Sequence, residues 1–131
     1  KNVIFDTTLL LTVLHHSDDP LKVLREAIRV TKKKSRILVI ESVYGIEEYN
    51  ELTSEEQRML NIFFDHLYNR ILFFSDDPAK KVNVPFNFNT PRAWNGIFAK
   101  LGCKIERTIH LGMDQPLVPE YHTLHVLNTY S

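Results

Sequence analysis

The sequence predicts an α/β protein organised around a sheet whose first two strands run parallel. Three observations carry this. The chain opens on an apolar, β-branched run over residues 3–14, from Val3 to Leu14, that lacks clean alternation and so suits a strand covered on both faces. A capped helix follows, and then a second apolar run, Ile37-Leu38-Val39-Ile40, that ends in Glu41. Strand, helix, strand in that order is the parallel crossover unit, which is right-handed in nearly every protein that contains it.

Each element has its own signal. The first strand, by its two-sided apolar character, is expected to be central. Asp18, Asp19 and Pro20 supply a cap and a first-turn proline for a helix from Leu21 to about Thr31, with Leu21, Leu24 and Ile28 on one face. Lys32, Lys33 and Lys34 then stand where positive charge complements the helix dipole. Residues 42–50 have no period, and Gly45 marks a loop. Thr53-Ser54-Glu55-Glu56 is a capping box, and Met59, Ile62, Phe63, Leu67 and Ile71 recur at helical spacing, so a long helix should run to about Leu72. Residues 73–88, broken by Asp77-Pro78 and Val84-Pro85, read as an ordered loop. Thr90-Pro91 opens a further helix through Trp94, Ile97, Phe98 and Leu101, with Gly102 as its terminator. The last two strand candidates are 103–111 and 121–130. In the second, Thr123, His125 and Leu127 face one way and Leu124, Val126 and Asn128 the other.

At 131 residues with no repeat or linker, the chain reads as one domain. Sixteen basic and sixteen acidic residues cancel, so no net field favours nucleic acid or an anionic membrane. No apolar run approaches the ~20 residues of a bilayer span, and nothing at the start reads as a signal peptide. One cysteine, Cys103, suits a reducing compartment, and the expectation is a cytoplasmic protein with no nucleic-acid or membrane partner.

A resemblance adds to this. Phe5-Asp6 through Leu14-His15-His16, then Asp19-Pro20, the helix Leu24-Arg25-Glu26-Ala27-Ile28-Arg29-Val30, and Arg36 through Glu41 resemble the middle of class I S-adenosylmethionine-dependent methyltransferases of the small-molecule type. Asn87-Phe88-Asn89-Thr90-Pro91, with Trp94, Phe98 and Leu101-Gly102-Cys103, is similar to the family's last helix and the entry to its sixth strand. The resemblance implies the C-terminal half of a Rossmann-like sheet, strands four to seven over residues 1–131, with the last strand antiparallel between the fifth and sixth. It implies an enzyme that moves a methyl group from S-adenosylmethionine to a small-molecule acceptor. The family's glycine-rich loop and ribose-binding acidic residue are not in this sequence, whose four glycines are scattered. The chain alone is therefore expected to be inactive and to bind the cofactor weakly, with an open first-strand edge that pairs with the absent N-terminal half or with a second copy in a homodimer. The alternative is a non-enzymatic binding or interaction domain derived from such a half.

By the resemblance, Leu11, Thr12 and Val13 lie beside the cofactor, with His16 at the rim. The helix over 53–74 is a candidate roof for an apolar acceptor site, offering Phe63, Phe64 and Tyr68 with polar Asp65, His66, Asn69 and Arg70. Tyr44 and Glu41 follow the second strand, and Asp114, Gln115 and His122 flank the last connection. Glu41, His66, His110 and His122 are the candidate general bases, no one of which stands out. A metal is not expected, because adjacent side chains such as His15 and His16 diverge after a strand and no ligand spacing matches a zinc site.

Overall fold

The computed structural model describes residues 4–49 and 51–130. Val3, where the first strand is expected to begin, and Asn50, at the end of the expected loop, lie outside them. Four strands, β1 (Phe5–Leu11), β2 (Thr31–Val43), β3 (Cys103–Gly112) and β4 (Tyr121–Thr129), form one sheet in the order β1-β2-β4-β3. β1 and β2 are parallel, and β4 runs antiparallel between β2 and β3. This mixed sheet, with its reversed last strand, is the arrangement that the resemblance implies.

Three helices accompany it: α1 (Pro20–Val30), α2 (Ser54–His66) and α3 (Pro91–Lys100). The cap signals are met. Asp19 and Thr90 accept from the N–H groups of Lys22 and Ala93, and Thr53 and Glu56 close a reciprocal capping box. Gly102, at φ 85°, takes the left-handed conformation after α3 that a side chain rarely adopts.

α1 and α3 cover one face of the sheet. Leu24 and Ala27 of α1 and Trp94 and Phe98 of α3 are buried against Ile37, Val39 and Leu127. Each such large side chain contributes about 1.5–3 kcal/mol when removed from water. The alternation in β4 follows from this, for Thr123, His125 and Leu127 are buried under the helices while Leu124, Val126 and Asn128 on the opposite face are half-buried. His125 packs edge-on against Phe98 and is held in its neutral form, its Nδ1–H donating to Asn95 Oδ1 and its Nε2 accepting from Thr123. Burial, with a smaller contribution from the charge of His110, pushes its pKa down to about 4.

Three expectations need correction. β1 is not central in this chain but lies at the open edge expected of it: among the described residues β2 alone pairs with it, and Phe5, Leu9 and Leu11 are exposed. The three lysines, expected at the helix end beside its dipole, are part of β2. The chain passes from Thr31 directly into β2, the β1/β2 register slips between Phe5 and Thr7, and Lys34 turns the backbone at φ 59°. Lys32 instead reaches Asp6 across the strand pair at 2.6 Å.

The third correction concerns α2, whose buried residues are Gln57, Asn61 and Asp65, whereas Met59 and Phe63 are exposed. Its inward face is polar because it meets backbone groups at the end of β2 and on the loop after it. Gln57 binds both the N–H and the C=O of Ile46, and Asn61 donates to the Val43 carbonyl at 3.1 Å. Leaving such groups unpaired would cost roughly 1–3 kcal/mol each. Beyond His66 the helix widens into a π-helical segment, Leu67–Leu72, a rare geometry that is frequent at functional sites.

Candidate functional site

At the C-terminal ends of β1 and β2 lies a cleft of about 170 Å³ lined by residues that include Thr12, His16, Asp65, Tyr68, Gln115 and His122. Open α/β sheets bind ligands at such strand ends. Three segments enclose it: a 3-10 turn, Leu14–His16, that follows β1; the α2 and π-helical stretch from Phe64 to Asn69; and the connection into β4.

Glu41, fully buried beneath the cleft, fixes the turn. Its Oε1 accepts from the Leu14 N–H at 2.7 Å and its Oε2 from His15 Nδ1–H at 2.6 Å. Burial disfavours a charged His15 ring, but the hydrogen bond and charge of Glu41 outweigh it and hold the pKa above the ordinary histidine value. Phe88 stacks on His15 at 4.8 Å. His16 donates Nδ1–H to the Asn83 carbonyl at 2.8 Å, and the Asn83 amide returns a bond to the His16 carbonyl, which ties the 73–88 loop to the turn.

Across the cleft, Asp65 is buried with Oδ1 bonded to the Asn69 amide and Oδ2 without a partner among the described residues. Burial raises its pKa, against the lowering influence of His16 and His15. Tyr68 donates its hydroxyl to the Leu117 carbonyl at 2.7 Å and so closes the roof over the β4 connection.

A third group joins Ser42, Glu120, His122 and Asp114. The single Ser42 hydroxyl proton goes to Glu120 at 2.7 Å, so Ser42 can only accept from His122 Nε2–H at 3.1 Å, and Asp114 can only accept from Nδ1–H at 2.5 Å. Both ring nitrogens donate, which is the imidazolium form. Burial opposes that charge, and the carboxylates of Glu120 and Asp114 overcome it to raise the His122 pKa. Glu120, in turn, is buried, yet His122 and Ser42 hold its carboxyl below the usual range. A serine, histidine and aspartate in line invite comparison with hydrolase triads. Ser42 is fully buried and its proton is committed to Glu120, so it is no nucleophile.

Of the residues expected at the site, Thr12, His16, Gln115, His122 and the roof residues Phe64, Asp65, Tyr68 and Asn69 line the cleft, and Glu41 and Asp114 stand directly behind it through His15 and His122. Leu11 and Val13 lie at the same strand end, exposed by 48% and 41%. Tyr44, Phe63, His66 and Arg70 are not among the lining residues: Phe63 and His66 point to solvent, Tyr44 is half-buried on the loop after β2, and Arg70 keeps one buried guanidinium nitrogen without a partner among the described residues. His110 bonds the Tyr121 hydroxyl away from the cleft. His15 and Glu120 line the cleft without having been expected there. The signal for His15 lay in the pair itself. The 3-10 turn, in place of an extended strand, brings the rings of His15 and His16 to 4.2 Å instead of separating them.

Comparison with known proteins agrees with this architecture. Residues 2–39 match the family described as "Methyltransferase domain". No curated protein matches the sequence. Among solved structures, a SAM-dependent methyltransferase from Methanosarcina mazei superposes with a TM-score of 0.61 at 12% identity, over 98% of this chain and 61% of that one. The mitomycin 7-O-methyltransferase MmcR gives 0.58 at 20% identity, over 95% of this chain and 29% of its own. LepI, solved with S-adenosylhomocysteine and a substrate analogue, gives 0.59 at 14% identity, over 95% and 26%. The chain thus spans less than two thirds of each of these three. Its fold is that of the class I S-adenosylmethionine-dependent methyltransferases.

The residues present fit that cofactor in part. Leu11 and Val13 offer uncovered apolar surface beside the cleft-lining Thr12 at a parallel strand end, which suits one side of an adenosyl group. Among the described residues no helix is long and apolar enough to cross a membrane.

Proposed function

We propose that this chain is the acceptor-binding part of an S-adenosylmethionine-dependent methyltransferase acting on a small molecule. The cofactor supplies an activated methyl group whose transfer leaves a neutral thioether. Leu11, Thr12 and Val13 would bind one side of it, and the cleft between the 3-10 turn and α2 would orient the acceptor. Holding nucleophile and methyl in line is most of the catalytic task for such a transfer. The open edge of β1 is where the remaining strands of such a domain, or a second copy, would pair. The observation that carries the reading is the position of the cleft: a polar, histidine-lined cavity at the C-terminal ends of β1 and β2, next to exposed apolar residues.

Isothermal titration of S-adenosylhomocysteine into this chain and into the full-length gene product tests it. Binding by the full-length product, weakened at least about tenfold by Leu11→Asp, is the expected result, tenfold being one ~1.4 kcal/mol contact. Binding by neither protein overturns it and favours a non-enzymatic interaction domain.

A further inference from the structure

We propose that His15, His16 and Asp65 form a binding site for a divalent transition-metal ion of the zinc class. One ligand atom from each residue lies within 4.8 Å of the other two, and His16 Nε2 stands 3.7 Å from Asp65 Oδ1. A tetrahedral ion with bonds of roughly 2.0–2.2 Å holds its ligand atoms about 3.4 Å apart. The three side chains need only rotate inward by about an ångström to close on one.

The surrounding bonds already have the form that metal sites require. A ligating histidine donates its other ring nitrogen to a carboxylate or a backbone carbonyl, which fixes tautomer and orientation. Both histidines do so. His15 gives Nδ1–H to Glu41 and His16 gives Nδ1–H to Asn83 O, leaving Nε2 on each ring as the available ligand atom. The third ligand is independently unusual: Asp65 is only 4% exposed, it lines the cleft, and its Oδ2 has no partner among the described residues. A buried carboxylate oxygen is ordinarily paired or bound to a metal.

Two imidazoles and one carboxylate suit zinc and its first-row neighbours better than magnesium or calcium. The ion's remaining positions face the 170 Å³ cleft, where an oxygen of the methyl acceptor is the fitting further ligand. That last assignment rests on the methyl-transfer reading; the ion site does not.

Cobalt(II) titration of the purified chain, with no methyl donor present, tests the site alone. The expected result is visible absorption that saturates at one equivalent and is displaced by zinc. His16→Ala and Asp65→Asn should each weaken binding by at least about tenfold, while His110→Ala, outside the cleft, leaves it unchanged. Circular dichroism confirms that the variants are folded, and His16→Ala, on a half-buried side chain, decides the matter should Asp65→Asn unfold. Failure to saturate, or binding unaffected by His16→Ala, overturns the proposal. Either outcome is independent of the S-adenosylhomocysteine titration.

Discussion

α3 and α2 carry the same signal in the sequence, a threonine cap followed by aromatic and aliphatic residues three and four apart, yet they pack in opposite senses. α3 turns Trp94 and Phe98 into the sheet; α2 turns Gln57, Asn61 and Asp65 inward and leaves Met59 and Phe63 in solvent. Periodicity shows that a helix has two faces. Which face is buried depends on what it meets. α3 meets the apolar side chains of paired strands, and α2 meets the Val43 carbonyl at the end of β2 and the Ile46 backbone of the loop after it, which take polar partners.

The largest expected effect follows from two phenylalanines that the sequence does not distinguish. Phe98→Ala should destabilise the protein by about 3–5 kcal/mol, the cost of removing a buried ring. Phe63→Ala should change stability by no more than about 0.5 kcal/mol. Urea denaturation measures both, and comparable losses would break the contrast between the helices.

A second test compares the two faces through histidines on one strand. His122, in the cleft, is buried yet has its pKa raised by the carboxylates of Glu120 and Asp114, whereas burial under α3 pushes the pKa of His125 down to about 4. Because the folded value lies below the unfolded value of 6.5, the contribution of His125 is fully present above pH 6.5 and is lost as pH falls toward about 4. The loss amounts to about 3 kcal/mol at its limit. Urea midpoints followed across that range for the protein and for His125→Gln isolate it. If the protein loses stability no more steeply than the variant, His125 is not held neutral by its surroundings.

The same comparison explains what was legible in the sequence. The caps Asp19, Thr53 and Thr90, the terminator Gly102 and the alternation of Thr123, His125 and Leu127 are local signals, and all are met in the structure. The cleft depends on side chains far apart in sequence: His15, Asp65 and Glu120 lie on three separate segments, and no spacing joins them. Phe64 and Tyr68, one turn apart, are legible as roof residues and line the cleft, whereas their neighbour Phe63 is exposed. The two histidines do not diverge, because the strand ends at Leu11 and they stand on the 3-10 turn that follows.

The smallest expected effect is the most informative about why α2 is polar inside. Gln57 and Asn61 have inward partners in the backbone, so their polarity is structural; Asp65 Oδ1 accepts from Asn69 and stands 3.7 Å from His16 Nε2, and Oδ2 has no partner among the described residues. A buried, half-satisfied carboxylate costs more stability than a neutral amide of the same shape, which has no charge to desolvate. Asp65→Asn should therefore stabilise the protein by about 1 kcal/mol, raising Tm by roughly 3–5 °C in a thermal melt at neutral pH. A gain in stability together with a loss of cobalt binding would mark Asp65 as a residue kept for a ligand at the expense of the fold. A fall in Tm would instead mean that its charge is matched by His16 and His15, and that the polar face of α2 is structural along its whole length.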